Sequence, residues 1–216
     1  MSQEFIDAAT GGDVAKVQEM LRRDPGLARA KDENGVSVIM KASYYGKKDV
    51  VAALLATGAP LDVFEAAATG QTTRLADLIA KDPSLVNAYS PDGFTPLGFG
   101  VFFGQPEVVK ALLDAGADVN LPSRESMKVT PLASAAAAKQ TEIARLLIAR
   151  GANVNARAAG GHIPLHEASA NGDVELVKLL IERGADINAK TDDGKTPLDF
   201  AAEYKRAEVI ELLKKS

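Results

Sequence analysis

The tripeptide Thr-Pro-Leu stands at Thr95-Pro96-Leu97, Thr130-Pro131-Leu132 and Thr196-Pro197-Leu198, with Ile163-Pro164-Leu165 as a near match. Successive copies are 35, 33 and 33 residues apart. A period of this length marks a stacked repeat architecture, and it restricts the fold more than any other feature of the chain. A single unit of that size cannot bury its own apolar face, so neighbouring units must share one elongated core.

Each element of the repeat has a local reason. Threonine before proline starts a helix, because the hydroxyl caps orphan amides and proline at the first helical position gives up no hydrogen bond. Gly104 and Gly172 break the chain between a first and a second helix. Second helices such as 108–113 and 176–181 carry apolar residues at helical spacing. The Gly-Ala pairs at Gly58, Gly116, Gly151 and Gly184 fit left-handed residues that end a helix. Asp92-Gly93 and Asp193-Gly194 are turn dipeptides ahead of the next cap. The unit is therefore helix, turn, helix and projecting loop.

The first half repeats on a longer period. Asp24-Pro25 and Asp82-Pro83 are 58 residues apart, as are Gly35 and Gly93, and Gly58-Ala59 and Gly116-Ala117. Residues 7–62 and 65–120 thus form two copies of a two-unit block whose first unit ends in Asp-Pro. The unit that begins near Phe64 follows Asp62 with almost no room for a projecting loop. Seven units are expected, at roughly 1–30, 31–62, 63–88, 89–122, 123–156, 157–189 and 190–216, forming one domain without a linker. The outermost two should act as caps, and residues 121–128 read as a loop lengthened by about two residues.

On these motifs the chain resembles the ankyrin repeat family over essentially its whole length, with a mild leaning toward bacterial or archaeal members. The segment 162–189 follows the family pattern most closely, from His162-Ile163-Pro164-Leu165-His166 to Gly184-Ala185-Asp186-Ile187-Asn188-Ala189. The resemblance implies an all-α solenoid with short turn or hairpin loops. The family's histidine after Thr-Pro-Leu survives only as His166; Met40, Gly98, Ala133 and Asp199 occupy the matching places. Inter-repeat hydrogen bonding through that histidine is expected to be weak or absent there. Ser37-Val38-Ile39 lacks the proline of a regular helix start.

Chemistry is scarce. The 216 residues contain no cysteine and two histidines, which starves disulfide, thiolate-metal and triad readings. His162 and His166 are four apart, as zinc ligands sometimes are, but His162 precedes the cap and His166 holds the family's structural position. Gly160-Gly161 reads as a turn, and paired carboxylates such as Asp192-Asp193 fall at loop tips. No catalytic residue, metal or cofactor is expected. A formal charge of -4 with pI near 5.3 argues against nucleic acid as partner. Residues 1–5 have neither a basic nor an apolar leader segment and no apolar run approaches membrane-spanning length, so a cytoplasmic protein without membrane association is expected.

The expected role is a non-catalytic scaffold or regulator that holds an unidentified protein partner on its concave face. The alternative is a homo-oligomeric structural or accessory subunit, a monomer being favoured. In the family the contact positions are the loop tips, the residue after the turn glycine, and the two residues before the inter-helix glycine. Carried onto this chain, the last are Tyr44-Tyr45 and Phe102-Phe103 among others, and the turn positions include Val36 and Phe94. Eight of the chain's eleven Phe and Tyr residues fall between Tyr44 and Phe103. Exposed aromatic pairs normally mark an interaction surface, each ring contributing about 1–3 kcal/mol once buried. Tyr45 and Phe103 could instead pack between first helices as Phe99 should, because Ala66, Ala67 and Ala68 leave room. Loop-tip charges of both signs, Asp92 against Arg124 and Lys128, could orient a partner. The candidate site is therefore Val36, Tyr44, Tyr45, Asp92, Phe94, Phe102, Phe103, Arg124 and Lys128.

Overall fold

A computed structural model describes residues 2–215. Among them fourteen α-helices run as seven antiparallel pairs: α1 (Ser2–Gly11) and α2 (Val14–Arg23), α3 (Val38–Tyr44) and α4 (Lys48–Leu55), α5 (Val63–Ala68) and α6 (Thr72–Lys81), α7 (Pro96–Phe102) and α8 (Pro106–Asp114), α9 (Pro131–Ala137) and α10 (Thr141–Ala149), α11 (Pro164–Asn171) and α12 (Val174–Glu182), and α13 (Pro197–Glu203) and α14 (Ala207–Leu213). We number these pairs as units 1 to 7. First helices stack on first helices, and second helices stack on second helices. This is the all-α solenoid that the resemblance implied.

The threonine caps are those the sequence announced. Thr95, Thr130 and Thr196 accept from the amides of Gly98, Ala133 and Asp199, each with proline at the first helical position. Ser37 caps α3 through the Met40 amide without a proline. Asp62 and Glu65 start α5 with a reciprocal capping box: Asp62 Oδ1 accepts from the Phe64 and Glu65 amides, and Glu65 Oε2 accepts from the Asp62 amide at 2.9 Å. The 58-residue block is also physical. Asp24 and Asp82 adopt the same backbone, φ -143 with ψ 92 and φ -142 with ψ 93, and each caps a 3-10 turn.

The inter-helix turn requires a left-handed residue. Glycine supplies it in units 1 to 4 and 6, but Lys139 and Lys205 stand there with φ 55 and 56. A side chain in that region costs about 1–2 kcal/mol, part of which glycine returns as unfolded-chain entropy. Lys139→Gly and Lys205→Gly should therefore each raise stability by about 0.5–1 kcal/mol. Urea denaturation followed by circular dichroism would show it; unchanged midpoints would mean that local relaxation already absorbs the cost.

Five units carry a projecting finger closed by a backbone bond across its base: Asp32 N–H to Val36 O, with Val38 to Ala30 below it, Ser90 to Phe94, Ser123 to Val129, Ala158 to His162 and Thr191 to Lys195. From unit 4 onward the fingers are tied to one another. The Arg124 amide donates to Gly93 O at 2.8 Å, Ala159 to Met127 O at 2.9 Å and Asp192 to Gly160 O at 2.9 Å. Unit 3 has no finger, since the chain passes from Gly58 to the Asp62 cap directly. Consistent with that gap, Pro91 occupies the place of Arg124, Ala159 and Asp192, and offers no amide to a preceding finger.

The core divides near the same place. One buried cluster holds Phe5, Ile6, Val17, Val38, Ile39, Val50 and Leu54 of units 1 and 2. The other begins with Met40 and Val63 and continues to Leu213. Leu61 packs against both.

Candidate functional site

Unit 3 is thin. Its first helix is the shortest, six residues, and it ends in Ala66, Ala67 and Ala68, all buried. Small residues and a missing finger let side chains of units 2 and 4 meet across it. The Tyr44 ring lies 6.1 Å from Phe102 and 5.4 Å from Phe103, and its hydroxyl donates to Asp92 Oδ2 at 2.9 Å. Burial, and then the adjacent Asp92 carboxylate, push the Tyr44 phenol above its usual range. Tyr44 thus spans 48 residues of sequence and divides the surface over α5 into two hollows.

The first hollow, about 320 Å³, occupies the place of the absent finger. Its floor is Val36, Met40, Tyr44, Phe64 and Phe99, and Asp62, Glu65, Asp92 and Lys31 bring charge to it. The second, about 570 Å³, lies over the end of α5 between Tyr44, Phe102 and Phe103, with Lys47, Lys48, Thr69 and Gln105 around it. Phe99 is the anchor beneath this region. It is 2% exposed, with Phe64 at 5.9 Å, Phe94 at 5.5 Å and a stacked Phe103 at 6.2 Å.

The four paired aromatics do not behave alike. Tyr44, Tyr45 and Phe102 are 41%, 62% and 52% exposed. Phe103 is half-buried against Phe99 and the main core, so of the two rings for which packing was the alternative, Phe103 takes it and Tyr45 does not. Phe94 is half-buried too, resting on Phe99. Val36 and Asp92 line the finger gap, together with Tyr44. Arg124 lies elsewhere: its guanidinium sits 3.8 Å over the Tyr89 ring, whose hydroxyl donates to Pro122 O. Lys128 is an exposed residue with φ 48 in the unit 5 finger and lines neither hollow. Met40, Phe64, Asp62 and Glu65 were not among the expected site residues, although the missing loop before Phe64 was their signal.

The two histidines have their own geometry. His166 is fully buried; its Nδ1 accepts from the Ile163 amide at 3.1 Å, and Nε2 reaches Ala189 O at 3.1 Å and Lys195 O at 3.2 Å. With both nitrogens occupied by backbone, it has no lone pair to share with a metal. His162 Nδ1 instead meets Glu167 at 3.0 Å. No group of three or more His, Asp or Glu side chains suited to a metal ion occurs among the described residues, and no helix of those residues is long and apolar enough to cross a membrane.

Comparison with known proteins agrees with this architecture. The model of the family described as Ankyrin repeats (3 copies) matches residues 5–123, 63–158 and 132–216. The chain is 30% identical over 136 residues to human DNA-binding protein RFXANK, covering 59% of this chain and 52% of that protein. It is 30% identical over 168 residues to the putative ankyrin repeat protein FPV014 of fowlpox virus, covering 73% and 37%. Serine/threonine-protein kinase VIK of Arabidopsis thaliana is 43% identical over 74 residues, 34% of this chain and 16% of the kinase. The chain thus spans about half or less of the length of these relatives, and what is shared is repeats, which form a protein–protein interaction module. With a family model matched across nearly all of its sequence and a stack of seven helix pairs to go with it, the chain belongs to the ankyrin repeat family.

Proposed function

We propose that the chain is a non-catalytic scaffold or regulator that holds a protein partner, as a monomer, on the concave face of units 2 to 4. The observation that carries this reading is the exposure of Tyr44 and Phe102 on the walls of the hollow over α5, with Tyr45 exposed next to Tyr44 in the chain. Large apolar side chains grouped on a surface cost solubility unless a partner covers them. Hot-spot residues of interfaces are enriched in such rings, set in pockets that exclude water. The acidic balance of the chain supports a protein rather than nucleic acid as the partner, since phosphate recognition rests on basic surface. His166 is committed to backbone on both nitrogens, which leaves little from which to build a catalytic site.

The test replaces Tyr44, Tyr45 and Phe102 with alanine and leaves Phe103, which is packed, in place. Partners captured from an extract of the producing cells would be compared with those of the native chain, alongside melting curves. Loss of a partner at an unchanged melting temperature supports the reading; retention moves the site to the finger tips. A homo-oligomer is the competing use of the same rings. Light scattering on the purified chain distinguishes it, because a stable dimer that the triple variant dissolves would overturn the monomeric scaffold.

A further inference from the structure

The gap left by the missing finger of unit 3 is an open hollow between the fingers of units 2 and 4. Everywhere else along units 4 to 7 a finger finds a neighbour, and its backbone carbonyl is taken by the next finger's amide. Gly35 O, the counterpart of Gly93 O, accepts no such bond among the described residues, because the finger that would supply it does not exist. In its place stands a hollow of about 320 Å³, floored by Val36, Met40, Tyr44, Phe64 and Phe99. That floor is apolar and partly aromatic, so it favours a hydrocarbon stem over water.

The charges around it are unbalanced. Asp62, Glu65 and Asp92 face Lys31 alone, and none of the four has an ion-pair partner among the described residues. The nearby Asp32 is no part of this excess, because Lys41 Nζ holds its Oδ2 at 2.5 Å. Asp62 and Glu65 spend one oxygen each on the α5 capping box. Their second oxygens accept no hydrogen bond among the described residues. Asp92 accepts from Ser90 Oγ on one oxygen and Tyr44 on the other, and each retains acceptor capacity.

We propose that this gap receives an extended segment of the protein partner that presents one cationic side chain, arginine or lysine, flanked by apolar residues. The stem lies along Val36, Met40 and Phe64, and the cationic head meets Asp62, Glu65 and Asp92. Gly35 O is then free to take a backbone amide of the segment, as Gly93 O takes that of Arg124. Pro91 denies the matching bond on the opposite wall, so the segment docks against the unit 2 side. The inference deepens the scaffold reading above and rests on it for the existence of a partner.

The probe is the capped tripeptide acetyl-Leu-Arg-Leu-amide, titrated into the full, isotope-labelled chain and followed by amide chemical shifts at 0.15 M salt. Its counterpart carries citrulline, which keeps the shape of arginine and removes the charge. Shifts are expected at Gly35, Val36, Phe64, Glu65 and Asp92, with the citrulline peptide binding at least about tenfold more weakly, as loss of a charge-assisted contact implies. Glu65→Gln with Asp92→Asn, which removes both charges, keeps an acceptor for the Asp62 amide and gives up one of the two acceptors at position 92, should weaken the arginine peptide to a similar degree. Equal binding of the two peptides, or no shifts in the gap, overturns the proposal whatever the double variant does. Shifts confined to Tyr45, Thr69, Phe102 and Gln105 also overturn it, while leaving the partner surface over α5 intact.

Discussion

Phe99→Ala is expected to destabilise the protein by about 4 kcal/mol, at the upper end of what a large-to-small core substitution costs. The ring is 2% exposed and touches three others, Phe64 of unit 3 and Phe94 and Phe103 of its own unit. Removing it takes away the burial of one large side chain and leaves a hole that rigid neighbours on stacked helices cannot close. For a chain of this length such a loss corresponds to roughly 10 °C in melting temperature. Because stability in a repeat stack is carried by neighbouring interfaces, the loss should concentrate in units 3 and 4. Urea denaturation gives the total, and hydrogen exchange of α5 and α7 amides gives the location. Phe99→Leu, which keeps most of the volume, should cost less than about 1.5 kcal/mol. A loss below 1 kcal/mol for alanine would mean that the aromatic cluster is a loose surface assembly, and the walls of both hollows would need another support.

Most of this fold could be read from the chain because its signals are local. Threonine-proline starts α7, α9 and α13, and the glycines at Gly58, Gly116, Gly151 and Gly184 all have positive φ. The site was less legible, for reasons that are equally physical. Phe102 and Phe103 are neighbours in sequence, yet Phe102 ends α7 and Phe103 is its C-cap, where helical periodicity no longer says which way a side chain points. One ring therefore faces out while the next stacks on Phe99. Arg124 belongs to a lengthened loop, and only the folded path of that loop brings it over Tyr89. Tyr44 was placed at a contact position, but its bond to Asp92 across unit 3 depends on what unit 3 lacks. An absence in one repeat reshapes the surface between its neighbours, and no pairwise pattern within a single unit reports that.

His166→Leu is expected to cost about 3 kcal/mol, and the difference from the native chain should shrink as the solution is acidified from pH 7 to 5. The substitution strands the Ile163 amide and the carbonyl of Ala189 in a buried place, and removes one donor from Lys195 O, which keeps the Thr191 amide; each buried polar group left without a partner costs about 1–3 kcal/mol. Asp199, at the matching place in unit 7, shows how the role divides: it accepts from the Thr196 amide, as His166 accepts from Ile163. The bonds His166 makes to Ala189 and Lys195 are the inter-repeat part, and only the histidine at this place supplies them through a ring. The sign of the pH effect follows from burial, which holds the imidazole below its ordinary value. In the unfolded chain the same group takes up a proton near pH 6.5. The folded state resists that proton, so the stabilisation present at neutral pH is lost as pH falls below about 6.5, toward the lower folded value. Asp32 and Asp199, whose carboxyls are held below the usual range by Lys41 and Thr196 respectively, begin to matter only in more acid solution, and because both proteins keep His162, the difference between them from pH 7 to 5 reads His166 together with its coupling to that neighbour. Paired urea titrations of the native and leucine proteins across that interval read it directly. A difference that stays constant would mean that His166 is protonated in the folded state as readily as in the unfolded one. In that case protonation would cost nothing at Nδ1, and the stability lost in the leucine protein would have to come from the Nε2 bonds to Ala189 and Lys195.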